Sequence, residues 1–419
     1  MEWTPTLRDF IQQHIHDDTA ELLLAAQRYP EIDVPFAVEQ IEARKRLKGK
    51  LPEWYANPDL IMGGRVPAEQ CSSELTARYK RSIIKGKSLC DMTGGMGVDW
   101  WYMSEGMDRA IYTERNEELC SIARHNFHVP MGNTPDGSSL WGRLQEGDAH
   151  QGREGLEVRC GDGRNLPIPS VDVIYLDPAR RAGDGSRVYA MEECEPNIIE
   201  WQHELLQHAK MLLVKLSPMV DLTDVLRKLT GVKEVHVVAV RNECKEVLVK
   251  QVPTLFPPSR QGEPVRVEMH CVDFLTSSTL HYTTTFPDEK QVLVSENGVE
   301  RYLYEPDVTL MKAQVFGALC QRFAVRQLDY DTHLMNSDEF FPDFPGRIFE
   351  VEEQIPFSSK ILKRLKRTIP QANIATRNFP LTADELRKRT GIKDGGTIYL
   401  FGAKVKDVGN VLLKCRKID

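Results

Sequence analysis

Apolar residues recur at helical spacing near the start of the chain: Leu7, Phe10, Ile11 and Ile15, then Leu22, Leu23, Leu24 and Ala26. Val34-Pro-Phe-Ala-Val-Glu-Gln-Ile opens a further helix, with Pro35 tolerated in its first turn. No strand signal interrupts this stretch, so residues 1–80 are expected to form a helical cap. From about Lys80 to Val252 the pattern becomes strand, turn, helix, repeated. Strands are expected at Ser88–Met92, Ala110–Thr113, Leu156–Cys160, Val171–Leu176, Met211–Leu216, Glu234–Val240 and Glu246–Val252. Helices should follow near Val98–Ser104, Glu117–Phe127, Ile198–His208 and Asp221–Leu229. The early strands are continuous apolar runs, as parallel strands buried on both faces require. The alternation predicts an α/β domain over residues 81–255 with a doubly wound sheet of about seven strands.

Val129–Asp148, rich in Gly, Pro, Ser and Asn, reads as an exposed loop, and Pro253–Pro264 as a linker. Short alternating strands then appear at Val265–Phe274, Leu280–Phe286 and Gln291–Ser295, with a helix at Ala313–Phe323. The last part predicts a basic helix at Lys360–Lys366, a strand at Ala372–Phe379 and a capping box at Thr382-Ala-Asp-Glu385. Two more strands follow, within Gly395–Gly402 and Val411–Ile418. Small α+β domains are therefore expected over 256–325 and 326–419.

Charge sharpens this division. The 419 residues carry a net −7, yet residues 354–419 hold fifteen Lys and Arg against five Asp and Glu, a local +10 that leaves about −17 elsewhere. Such asymmetry suggests a basic module with its own partner. Two to four domains suit the length. No apolar run approaches the ~20 residues of a membrane span, and Met1-Glu-Trp-Thr-Pro is not a secretory signal. Nine scattered cysteines, none in Cys-x-x-Cys, suggest reduced thiols in a cytoplasm. The eleven histidines are dispersed, and His14/His16 and His203/His208 lack companions, so no metal is expected.

Candidate chemistry lies at the strand ends. Lys87-Ser-Leu-Cys-Asp-Met-Thr-Gly-Gly-Met-Gly-Val-Asp99 reads as a strand breaking into a glycine-rich turn that opens a helix. Its acidic residue precedes the turn, unlike the Gly-x-Gly-x-x-Gly dinucleotide fingerprint. A carboxylate at Asp91 suits a cationic or amine-bearing ligand such as the methionyl part of S-adenosylmethionine. Gly94, Gly95 and Gly97 let the backbone turn tightly beside it. Glu114, after the next strand, is placed to accept from both ribose hydroxyls. Asp162, in Arg-Cys-Gly-Asp-Gly, could accept from the adenine amine. Each acid alone would be an ordinary solvated strand-end turn; three at successive strand ends, with the glycine turn, point to a site. Thr93 and Asp99 within the motif, and Arg115 after Glu114, belong to the same candidate set.

These residues resemble the class I S-adenosylmethionine-dependent methyltransferases, a Rossmann-like fold, over about Lys80 to Val252. Asp-x-Thr-x-Gly-x-Gly-x-Asp followed by Glu-Arg-Asn is similar to a bacterial small-subunit ribosomal RNA guanine-N2 methyltransferase. The whole arrangement resembles bacterial methyltransferases ending in a THUMP-like domain: helical start, methyltransferase core, ferredoxin-like piece, basic C-terminal unit. That resemblance implies S-adenosylmethionine as cofactor and RNA, ribosomal or transfer, as the partner of the basic domain.

Val173-Ile-Tyr-Leu-Asp-Pro-Ala-Arg-Arg181 sits where amino-methyltransferases carry Asn/Asp-Pro-Pro-aromatic. There the acidic or amide side chain and the proline carbonyl accept the amine's hydrogens. Asp177 and Pro178 match; Arg180 replaces the aromatic, though an arginine plane can stack on a base or clamp phosphate. Arg180 and Arg181 are thus counted as holding base or phosphate, and Tyr189 as a possible replacement ring. The motif also resembles Asp-Pro-Pro-Arg-x-Gly of RNA uracil-C5 methyltransferases. Their cysteine nucleophile is missing, because Leu216 stands in its place. The expectation is methyl transfer to a base nitrogen in RNA. The alternatives are a protein or small-molecule acceptor, or an RNA-binding protein with an inactive methyltransferase fold.

Overall fold

The computed structural model describes residues 3–129, 155–179, 191–253, 266–288 and 290–418. The expected loop after Val129, most of the linker, and Arg180, Arg181 and Tyr189 lie outside the described residues. Two compact units emerge: Met1–Val220 with Arg227–Val232 and Val249–Pro258, and Asp221–Leu226 with Lys233–Leu248 and Ser259–Asp419.

The first unit opens with helices α1 (Pro5–Gln13), α2 (Thr19–Leu24), α3 (Val34–Leu47), α4 (Pro52–Ala56), α5 (Arg65–Gln70) and α6 (Glu74–Ile83). Side-chain caps start several of them: Thr4 accepts from Leu7 N, Asp33 from Phe36 N and Ser73 from Thr76 N. Five parallel strands then alternate with helices: β1 (Ser88–Asp91), α7 (Val98–Met103), β2 (Arg109–Glu114), α8 (Glu117–Asn126), β3 (Leu156–Cys160), β4 (Val171–Leu176), α9 (Ile198–His208) and β5 (Ala209–Leu216). Their order is β3-β2-β1-β4-β5, so the winding reverses between β1 and β4. In open α/β sheets ligands sit outside the strand ends at such a reversal.

Helices α4 and α6 share a core with α7. Trp54 and Trp101 meet edge to face at 5.5 Å, and Trp100 stacks on Phe127 at 3.9 Å. Aromatic pairs of this kind contribute ~0.5–1.5 kcal/mol beyond area burial.

After α10 (Leu222–Lys228), β6 (Val232–Val240) and β7 (Cys244–Gln251) form a hairpin. Arg241 and Asn242 both take positive φ, the geometry of a type I′ turn. Next come β8 (Val267–Phe274) and β9 (Thr279–Phe286); β6 pairs parallel with β8, and β8 antiparallel with β9. The complete order is β3-β2-β1-β4-β5-β7-β6-β8-β9.

A second sheet, β11-β12-β10-β13-β16-β15-β14, ends the chain. Its elements are β10 (Tyr302–Pro306), α11 (Val308–Ala313), α12 (Phe316–Phe323), β11 (Arg326–Gln327), β12 (Met335–Ser337), β13 (Gly346–Pro356), α13 (Ser359–Thr368), β14 (Asn373–Arg377), α14 (Ala383–Thr390), β15 (Ile398–Val405) and β16 (Gly409–Ile418). The expected capping box is present, with Thr382 and Glu385 exchanging bonds. No helix among the described residues is long and apolar enough to cross a membrane.

Two local expectations are corrected. Ala313–Phe323 is not one helix: Gln314 is left-handed and closes α11, and α12 starts afresh at Phe316. Gln291–Ser295 is not a strand. It makes only an isolated parallel bridge, Val294 to Gln327, with Ser295 N donating to Gln327 O and Gln327 N to Leu293 O at 2.8 Å each. Just before it, Asp288 accepts from Ala318 N at 2.8 Å at the start of α12.

Candidate active site

A cavity of about 740 Å³ opens beyond the carboxyl ends of the first unit's strands. All the described candidate residues line it: Asp91, Thr93, Gly94, Gly95, Gly97, Asp99, Glu114, Arg115, Asp162, Asp177 and Pro178. Arg180, Arg181 and Tyr189 lie outside the described residues.

The glycine turn has a steric logic. Gly94 N donates to Thr113 O, and a Cβ there would stand 2.1 Å from the Tyr112 ring. Gly97 caps α7 at φ +82°, a conformation that side chains disfavour. Tyr112 Oη donates to Gly95 O at 2.6 Å, pinning the turn to β2.

Asp91 ends β1 fully buried, its carboxylate accepting from Thr93 N at 2.9 Å. Burial pushes its carboxyl well above the usual range, and the neighbouring Asp99, Asp177 and Glu114 add to the rise. Thr93 joins the two motifs, because its Oγ1 accepts from Asp177 N at 2.7 Å. Glu114 Oε2 accepts from Gly95 N and Oε1 from Asn116 N, both at 2.8 Å, so each oxygen keeps a lone pair. Asp162 is paired with Arg164 at 2.6 Å, which holds its carboxyl below the ordinary value. Glu195 bridges Arg164 at 3.0 Å and Arg115 at 3.2 Å. Glu195 also exchanges backbone bonds with Ala179, fixing the chain just after Pro178.

Beneath Asp177 lies a charged network that the sequence motifs do not reveal. Lys215, near the end of β5, sets its ammonium 2.5 Å from Asp177 Oδ2 and 3.9 Å from Asp99. Asp99 pairs with the fully buried Lys80 of α6 at 3.1 Å and accepts from Ser72 and Tyr175 hydroxyls at 2.7 Å each. Burial alone would raise the Asp99 carboxyl. The two ammoniums and two hydroxyls outweigh it and hold the group at about 2. Asp99 therefore faces protein groups. The signal for Lys215 was a lone cation in the apolar run Met211-Leu-Leu-Val-Lys-Leu216, since a buried lysine is almost always paired.

Relatives now bear on this geometry. Residues 346–417 match a THUMP domain-like family, and 302–345 a ferredoxin-like domain. The whole chain is similar to a crystallised Porphyromonas gingivalis W83 protein described as a methyltransferase, at 34% identity and TM-score 0.83, covering 100% of both chains. It is 23% identical over 365 residues to proteins described as uncharacterized S-adenosylmethionine-dependent methyltransferases in two strains of Mycobacterium tuberculosis, spanning 86% of this chain and 89% of theirs. Whole-length likeness and the matching C-terminal segment agree: the chain belongs to the class I S-adenosylmethionine-dependent methyltransferases that carry a THUMP-like domain.

Proposed function

We propose that this enzyme methylates a base nitrogen in ribosomal or transfer RNA. The carrying observation is the Asp177–Pro178 edge, anchored from behind by Lys215 and from the side by Thr93, with Asp177 Oδ1 left without a hydrogen bond among the described residues. S-adenosylmethionine supplies an electrophilic sulfonium methyl, so the acceptor needs its lone pair in line, not a strong base. The Asp177 carboxylate and the Pro178 carbonyl would accept the amine's hydrogens and orient that lone pair. Arg180 and Arg181 would hold phosphate or base.

The carboxylate-rich wall fits the cofactor: Asp91 beside the glycine turn for the cationic amine, Glu114 for the ribose hydroxyls, Asp162 for the adenine amine. Thr93, Gly94, Gly95, Gly97 and Arg115 would shape the same cradle. Asp99 would act one step back, fixing Lys215. Replacing Gly94 by alanine drives a Cβ into Tyr112. Overpacking of this kind costs ~1–3 kcal/mol, so S-adenosylhomocysteine affinity measured by calorimetry should fall about tenfold or more. Unchanged affinity in a folded variant would place the cofactor elsewhere.

The RNA half of the reading rests on α13. Its buried Leu362 and Leu365 leave Lys360, Lys363, Arg364, Lys366 and Arg367 exposed, and none of the five has an ion pair among the described residues. We read this face as the phosphate-contacting part of the THUMP-like segment. None of the nine cysteines forms a disulfide, in keeping with a cytoplasmic enzyme. RNA binding should therefore weaken steeply with salt. Changing Lys363, Arg364 and Arg367 to glutamine should flatten the log–log slope by ~0.7–0.9 per lost phosphate contact. A slope that stays the same removes α13 from the interface, and a flat slope in the wild type favours a protein or small-molecule acceptor.

A further inference from the structure

Two copies of one short pattern stand side by side in the second unit. Glu234-Val-His236 lies on β6 and Glu268-Met-His270 on β8. The parallel register sets Glu234 opposite Glu268 and His236 opposite His270. Residues two apart on a strand share a face, so the four side chains lie on one face of the sheet in two neighbouring rows. His236 is buried at 2%, and the His270 side chain is 14% exposed. The two rings stack at 4.4 Å, only 8° from parallel. His236 Nε2 lies 3.3 Å from Glu234 Oε2, and His270 Nε2 lies 3.5 Å from Glu268 Oε1. One ligand-capable atom from each of Glu234, His236 and His270 falls within 4.8 Å of the others.

Strand β9 orients one member of this set. His270 Nδ1 is 3.3 Å from both Thr283 Oγ1 and His281 Nε2. An Nδ1–H donated in that direction leaves Nε2 with its lone pair turned to the Glu–His rows. That arrangement, one ring nitrogen for the ion and the other fixed by a neighbour, is how ligating histidines are held.

We propose that Glu234, His236 and His270 bind a zinc ion, with Glu268 completing a two-nitrogen, two-oxygen set. Zinc accepts imidazole and carboxylate in tetrahedral sites at ~2.0–2.2 Å, which sets ligand atoms about 3.3 Å apart. His236 and Glu234 already stand at that separation. A modest tilt of the stacked rings would bring the other lone pairs to the same point. Two carboxylates balance the ion's charge, and the ion would tie β6 to β8 across 34 positions of sequence. The sequence suggested no metal because the four residues are brought together only by strand register.

The test uses the full-length chain, stripped of metal by a chelator and titrated with zinc sulfate. Calorimetry should show one zinc per chain, with the melting temperature rising as zinc is added. Cobalt substituted for zinc should give the intense visible bands of a tetrahedral site. His270→Gln should weaken zinc binding by at least ~100-fold. The pair Thr283→Val with His281→Gln, which removes only the orienting partners, should weaken it by ~10–100-fold. Glu268→Gln, at an exposed position, guards against misfolding of the histidine variants and should also weaken binding. Absence of stoichiometric zinc binding in the wild type overturns the proposal. So does zinc binding that survives unchanged in His270→Gln or Glu268→Gln.

Discussion

Asp177→Ala is expected to lower kcat/KM for RNA methylation by roughly ten- to a hundredfold while leaving cofactor affinity nearly unchanged. A hydrogen bond to a charged group contributes ~1.5–3 kcal/mol, and each ~1.36 kcal/mol is a decade in rate. The cofactor arm is spared because Thr93 contacts the backbone N–H of residue 177, not its side chain. Lys215→Met should reproduce much of the loss, since it frees the carboxylate from its 2.5 Å anchor. Tritium transfer from labelled S-adenosylmethionine into RNA of a deletion strain, alongside calorimetry with S-adenosylhomocysteine, separates the two effects. A loss of less than about tenfold for Asp177→Ala would mean that this carboxylate does not hold the acceptor.

The second large effect concerns stability. Asp99→Asn leaves Lys80 and Lys215 buried with one anion fewer. Breaking a buried pair from one side costs ~3–5 kcal/mol, which lowers Tm by roughly 10 °C for a unit of this size. Adding Lys80→Met to Asp99→Asn should recover part of the loss, a non-additivity expected of groups in contact. The pH dependence has a definite sign. The folded carboxyl is depressed to about 2 against ~3.9 in an unfolded chain, so the unfolded state binds more protons. The stabilisation is complete above about pH 4 and disappears as pH falls toward 2. Acid melts of the wild type should show this loss, and those of Asp99→Asn should show a smaller one, the difference being the share that Asp99 contributes. Equal acid sensitivity would show that Asp99 is not the titrating group.

What the sequence made legible was local. The strand–turn–helix units and the two motifs depend on residues within a dozen positions of one another. The cap at Thr382 and the strands Leu156–Cys160 and Val171–Leu176 emerge where periodicity placed them. Pairings that depend on which strands become neighbours were not legible. Lys215 meets Asp177 across 38 positions because β4 and β5 are adjacent. Lys80 reaches Asp99 because α6 packs on α7. The break between α11 and α12 hinges on one left-handed glutamine, a residue with no marked preference for that conformation. For the same reason the short strands β10 to β12 were missed, since they acquire a partner only in three dimensions.

The bond from the Asp177 amide to Thr93 helps make the two halves of the site one mechanical part. Whatever fills the glycine turn and shifts Thr93 also shifts the group that greets the acceptor. Thermodynamic reciprocity then requires that cofactor and RNA alter each other's affinity by the same factor. Thr93→Val, which keeps the shape and removes the hydroxyl, should leave each ligand's affinity independent of whether the other is bound.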